Sequence, residues 1–264
     1  MPAEAPSGRV HGVSHERVGA AKSQVHKPSG TVHGRTQGQR APRRLGQIPG
    51  GRHGLAPEAV AESQRTRILG AIRAQVAESG YLETSIADVI TRAGVSRKTF
   101  YEQFAGKDEC FAVAYTEEMD RLVTVTMSAF DGDEPWVVRL RGALTAMCAA
   151  LAANPDGARL CFVEALGAGP ATLERRKQAL RSLLPLFEAA PDDALRGLPF
   201  RESLSLGRIG DLAEMLHQEI AAGETTTLPR LVPQLTYMMA LPFLGPERAA
   251  RELAGPRAVL RPAS

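Results

Sequence analysis

The chain has 264 residues, of which 44% are hydrophobic and only 5% aromatic, so its core must be built mostly from Leu, Ala, Val and Ile. It has no run of eighteen apolar residues, and no apolar segment follows its first charges, which argues against a membrane span or a signal peptide and for the cytoplasm. The net charge of +3 hides an asymmetry: residues 1–56 carry nine Lys and Arg against two Glu, a sum of +7, which leaves −4 for residues 57–264.

The head, residues 1–56, is rich in Gly and Pro and holds His11, His15, His26, His33 and His53. It has no helical or strand period. Such a composition cannot offset the entropy of ordering, and a disordered basic arm is expected there. Two readings stand for it: an arm that feels DNA phosphates, or a passive tail from a start codon placed too early. Cys110, Cys148 and Cys161 lie on apolar helical patterns without metal-ligand spacing, so reduced, buried thiols are expected, with no metal or cofactor.

From Pro57 the texture becomes continuous helix. Ile68, Leu69, Ile72 and Val76 recur at helical spacing until Gly80. Thr84 or Ser85 caps a second helix, with Asp88 at a capping-box position and Ile86, Val89 and Ile90 facing inward. Gly94 ends it where a left-handed residue is needed. Ser96 then caps a short third helix that runs to about Phe104. Val95 and Phe100 can close a hydrophobic staple, and Phe100 and Phe104 share the buried face. Arg97, Lys98 and Tyr101 are left on the opposite side, a basic and aromatic front.

A fourth helix opens at Gly106 and Lys107, with Asp108 and Glu109 in its first turn as the dipole prefers. Phe111, Tyr115, Leu122 and Val125 form its apolar stripe, and "DGDEP" closes it. Further helices are expected over 136–153, 156–167, 170–190, 202–222 and 227–241, with a Pro- and Gly-rich loop before the fourth of these. Pro229 suits a first turn, whereas Pro233 should bend the last helix unless that helix starts later. No segment alternates with period two. The fold class is therefore all-α, with a three-helix helix-turn-helix domain followed by a larger helical body.

The segment "SIADVITRAGVSRKTFYEQFAGKDECFAVAY" resembles the N-terminal DNA-binding domain of TetR-family transcriptional regulators, over about residues 60–115. "VEALGAGPATLERR" and "VPQLTYMMALPFLGPERAARE" resemble, more loosely, ligand-domain segments of actinobacterial members. The resemblance implies a DNA-binding domain over 57–106 and an effector-binding and dimerisation domain over 107–254, with a disordered tail over 255–264. It implies a homodimeric repressor, released from a near-palindromic double-stranded operator by a mostly apolar small molecule. Arg97 and Lys98 would enter the major groove, where Arg97 can present a bidentate fork to guanine. Thr99 and Tyr101 would contact phosphates, Gln103 stands where the family often has histidine, and Ser85 and Ser96 complete the DNA-facing set. Lys107, with the free amides of the fourth helix, would hold a phosphate. Residues 57–111 nevertheless hold seven Lys and Arg against eight Asp and Glu, so the cations must gather on one face or draw on the arm.

For the effector, the resemblance places a pocket between the fourth helix and the three that follow. Met119, Met127, Trp136, Met147, Cys148, Phe162 and Phe187 would line it, with Glu164 as a polar anchor, although each also suits an ordinary core. For the dimer, Leu206, Ile209 and Leu212 with Leu231, Leu235, Met238 and Met239 would build a two-fold four-helix interface, unless they are the core of a monomer. Chemistry finds little support. His217 is the one histidine of residues 57–264, Glu164 and Asp211 are isolated acids, and no Gly-rich loop follows a strand. A regulator controlled by a protein partner is the remaining alternative; an enzyme is not expected.

Overall fold

The computed structural model describes residues 57–191 and 200–251. The expected arm (1–56) and tail (255–264) lie outside the described residues. Among those that are described, the regular structure is entirely helical. Helix α1 (Pro57–Ser79) starts on the proline and buries Ile68, Leu69, Ile72 and Val76. Helix α2 (Ile86–Ala93) begins at a complete capping box, in which Ser85 accepts from the Asp88 amide while the Asp88 carboxylate accepts from the Ser85 amide. Thr84 instead turns its hydroxyl to the Gly80 carbonyl, 2.7 Å away. Gly94 closes α2 at φ 64°, and the Val95 amide reaches back to the Ile90 carbonyl, a Schellman ending that a side chain with a Cβ would strain. Helix α3 (Arg97–Gln103) follows α2 after three residues.

Helix α4 (Lys107–Phe130) packs on α1 with its N-terminal half and on α5 (Trp136–Ala153) further along. By length and hydropathy alone α5 could cross a membrane. Here it is the central helix of the body, and Leu140, Leu144, Met147, Cys148 and Leu151 are buried against its neighbours. Helix α6 (Pro155–Phe162) is capped by Asn154 and runs into a 3-10 turn, Glu164–Gly167, so the helix expected over 156–167 changes pitch midway. The one expected over 170–190 is two: α7 (Pro170–Arg181) and the short α8 (Pro185–Glu188). The cause is Pro185, which lacks the amide needed to continue α7 and clashes with the preceding turn.

Helix α9 (Arg201–Ala221) packs on α6 and α7. A 3-10 segment, Thr225–Leu231, contains Pro229, and α10 (Val232–Leu244) starts after it. Pro233 therefore lies in the first turn of α10, where it has no helical partner to lose, and the bend feared there does not arise. Helix α11 (Pro246–Ala250) closes the described part.

Candidate nucleic-acid interface

Helix α3 is presented by its buried back. Phe100 and Phe104 pack with their rings tilted by 45° and 5.8 Å between centroids, both nearly inaccessible, and Arg65 lies over the Phe104 ring. The Ser96 hydroxyl accepts from the Thr99 amide at 3.0 Å and shares a proton with the Thr99 hydroxyl at 2.9 Å, satisfying the start of the helix. From α1, Arg67 donates to the Ala93 carbonyl at 3.2 Å, so the turn that sets the direction of α3 is held from behind. An ion pair between Arg92 and Glu78 at 2.6 Å ties α2 to α1.

Of the expected reading set, Arg97, Lys98 and Tyr101 face outward. Arg97 is exposed and makes no hydrogen bond or ion pair among the described residues. Lys98 is 86% exposed and pairs only at 3.7 Å with Glu102, a surface contact of little energy that DNA can replace. Tyr101 is exposed, with its ring set edge-on to Phe100. Gln103 is half-buried, and Ser85 is exposed but occupied with Asp88. The Asp88 carboxyl is held below its usual range by the Ser85 hydroxyl and then by the Ser85 amide.

Lys107 sits differently from a free phosphate ligand. Its ammonium donates to the Tyr81 carbonyl at 3.0 Å and lies 4.3 Å over the Tyr81 ring. The first turn of α4 is also served by its own acids: Glu109 accepts from the Ala105 amide at 2.6 Å, and Asp108 accepts from the Tyr81 phenol. Burial first, then Asp108, pushes the Tyr81 phenol well above its ordinary pKa, which keeps it a donor. Two ammonium protons of Lys107 are left to face outward.

Tyr81 also joins this domain to the body. Its ring packs edge-on against Phe111 at 4.8 Å, and its amide donates to Glu164 at 2.8 Å. Glu164 is in turn paired with Arg159 at 2.8 Å. Glu164 is thus a link between the 3-10 turn after α6 and the loop before α2, and does not line the apolar cavity described below. A second link is Glu118 of α4, which is buried yet fully satisfied. Arg73 of α1 lies 2.5 Å from one oxygen, while Arg121 (2.6 Å) and Asn154 (2.9 Å) share the other. A Cβ at Gly157 would collide with the Asn154 amide nitrogen and stand 3.0 Å from that carboxylate, so glycine is needed here for Asn154 to cap α6 and reach Glu118 at once. Sequence reasoning passed over both Tyr81 and Glu118. The signal for Glu118 was its register, since with Phe111, Tyr115 and Leu122 it falls on the inward stripe of α4.

Beyond these links lies an apolar cavity bounded by α4, α5, α6, α7 and α9. Met119, Met147 and Phe162 of the expected lining are there, joined by Leu122, Val123, Leu180, Leu183 and Leu216. Its free space is about 10 Å³, roughly one water, so a ligand would have to spread the helices. Ile209 and Leu212, expected at a dimer interface, instead form its α9 wall, and Leu235 and Met239 are buried in the chain's own core. Their hydrophobic spacing is the same for either destination. Leu206, Leu231 and Met238 remain half-exposed.

Trp136 and Phe187 pack with Phe243 as a separate aromatic group, with the Trp136 indole donating to the Leu186 carbonyl at 2.7 Å. Neither lines the cavity, nor do Met127, which is half-buried, and Cys148, whose thiol burial pushes up to about 12.

A buried-backed, capped helix with an exposed cationic front, fixed to a helical body, defines a helix-turn-helix domain. Residues 68–114 match the family described as bacterial regulatory proteins, tetR family, so this part of the chain is a tetR-type DNA-binding domain. No curated protein matches the chain. Similar solved structures include the fatty acid degradation regulator FadR from Bacillus halodurans, with 19% identity and a TM-score of 0.57, covering 68% of this chain and 98% of that one. FadR from Bacillus subtilis, solved in complex with stearoyl-CoA, has 17% identity and a TM-score of 0.56, with the same coverage. A TetR-like regulator from Rhodococcus sp. RHA1 has 20% identity and a TM-score of 0.52, covering 76% of this chain and 100% of the other. At these identities the likeness speaks for the fold.

Proposed function

We propose that the protein is a homodimeric repressor that binds a near-palindromic operator through α3 and leaves it when a mostly apolar small molecule enters the cavity. The observation that carries the reading is the contrast across α3: Phe100 is fully buried while Arg97 and Lys98 are exposed on the other side. Arg97 reads a guanine, Lys98 and Tyr101 meet the backbone, and Thr99 supports Ser96 at the phosphate. Lys107 adds a charge held in place by Tyr81. Two copies associate through the outer faces of α9 and α10, with Leu206, Leu231 and Met238 as the apolar contacts. At Gly207 and Gly210 no atom lies within 4 Å of where a Cβ would stand, which leaves room for a second helix to approach.

The lining of Met, Leu and Phe supports an apolar effector, and the Bacillus subtilis FadR of similar fold, solved in complex with stearoyl-CoA, is in keeping with it. Spreading α4 from α7 and α9 would move the N-terminal half of α4, and with it the Glu118 and Glu164 links, so ligand and DNA would oppose each other by linkage. The test is fluorescence anisotropy with DNA from upstream of the protein's own coding region, together with light scattering. Binding by a particle of twice 28.3 kDa, reversed by a lipophilic compound, is expected. A mass near one chain with and without DNA would sink the dimer. Operator binding unmoved by any lipophile would leave control by a protein partner.

A further inference from the structure

Tyr115 carries a buried polar group with nothing to bind. The residue is 1% exposed, and its phenol oxygen has no hydrogen-bond partner among the described residues. Buried hydroxyls are nearly always paired, so an orphan asks for an explanation. Burial pushes this phenol well above its ordinary pKa, so it remains a neutral donor at every physiological pH.

Its position supplies the explanation. Tyr115, Met119 and Leu122 share one face of α4 at i, i+4 and i+7, and the last two are wall residues of the apolar cavity. Tyr115 therefore continues that wall by one turn toward the N-terminus of α4. The same relation holds on α7, where Arg176 stands four residues before Leu180, another wall residue. The two helices are pinned at this level by their neighbours, Arg175 donating to the Thr116 hydroxyl at 2.7 Å. Arg176 is half-buried and makes no hydrogen bond or ion pair among the described residues, and its charge acts on the Tyr115 phenol. The other group felt there, the Cys161 thiol, is kept protonated by burial, and Glu174 on α7 is turned to Lys177. Among the described residues no carboxylate is hydrogen-bonded or ion-paired to either of them.

We infer that Tyr115 and Arg176 form the polar end of the cavity, and that the effector is an amphiphile whose apolar body lies along Met119, Leu180 and Leu216 and whose single carboxylate is taken by the phenol and the guanidinium. The inference rests on the cavity reading above and adds the chemical class of the ligand. A carboxylate gains two charge-assisted hydrogen bonds there, whereas a neutral hydrocarbon leaves the phenol as it is.

The test uses the full-length chain, titrated calorimetrically with decanoate and with decan-1-ol. Decanoate should bind roughly tenfold tighter, or better, as expected for hydrogen bonds to a charged group. Tyr115→Phe and Arg176→Gln should each remove most of that preference, with a much smaller effect on decanol binding and none on operator binding. Tyr115→Phe should also raise the melting temperature of the ligand-free protein, because the orphan hydroxyl is gone, while shrinking the shift that decanoate induces. Equal affinity for the two compounds, or a decanoate preference that survives both variants, would overturn the inference. If decanol still released the operator, the apolar-effector reading would stand alone. Failure of both compounds to bind would also overturn the inference, and operator release by some other lipophile would then decide whether the switch itself survives.

Discussion

The reader (α1 to α3) and the body (α4 to α11) are held together by different kinds of interaction. In the reader, the helix ends are fixed locally: the Ser85 and Asp88 capping box, the Gly94 ending, the Ser96 cap and the Phe100 and Phe104 pair all lie within a few residues of what they fix, while Arg65, Arg67 and Arg92 tie the helices together over longer spans. In the body, helices end without side-chain caps at most N-termini and are placed by partners far along the chain. Trp136 reaches Leu186, Asn154 reaches Glu118, and His217 meets the Phe162 carbonyl at 2.8 Å. A reading surface needs one rigid shape, which short-range geometry secures. A cavity that must spread for a ligand is better built from packing, which can shift as a unit.

The sharpest way to break this contrast is at the links between the two regions. Glu118→Ala would leave the poorly exposed Arg73 with only the longer 3.9 Å pairing to Glu117 and the Leu69 carbonyl, and should cost about 3–5 kcal/mol in urea unfolding, more than any cap in the reader. A loss below about 1 kcal/mol would mean that the carboxylate is not the keystone between α1, α4 and α6. Glu164→Ala leaves the Tyr81 amide without its acceptor and should cost about 1–3 kcal/mol, again read by denaturant. It should also weaken the opposition between effector and operator more than it weakens either alone.

Within the reader, Arg97→Ala should leave the melting temperature unchanged, since the side chain is exposed and makes no hydrogen bond or ion pair among the described residues, while operator binding falls by about 1–3 kcal/mol with relaxed preference at one base pair. Anisotropy against a panel of single-base variants measures this, and uniform weakening over the panel would make Arg97 a phosphate contact instead. Ser96→Ala removes a cap and should cost about 1 kcal/mol in stability. The smallest effect concerns pH. The Asp88 carboxyl is depressed in the folded chain, so the stability it contributes is present above the unfolded carboxyl range and is lost as pH falls through the folded value. Asp88→Asn should flatten that acid limb of the stability profile, and an unchanged limb would assign it to other acids.

The residues by themselves determined the all-α class, the three reader helices almost to their ends, and the outward set of Arg97, Lys98 and Tyr101. They could do so because caps, staples and a left-handed glycine act over three to five residues and leave the same signature wherever they occur. They also placed α4, α5 and α9 correctly, through helical spacing and strong terminators. The destination of an apolar side chain was not legible. Ile209 and Leu212 carry the pattern of a dimer seam but line the chain's own cavity, while Trp136 and Phe187 join Phe243 elsewhere. Glu164 read as a ligand anchor and proved to be a bond to the Tyr81 amide, 83 residues away. Periodicity says that a face is buried and is silent about its partner. Which surfaces meet is decided when α1, α4 and α6 converge, where Glu118 finds Arg73, Arg121 and Asn154 together and Gly157 leaves room for Asn154.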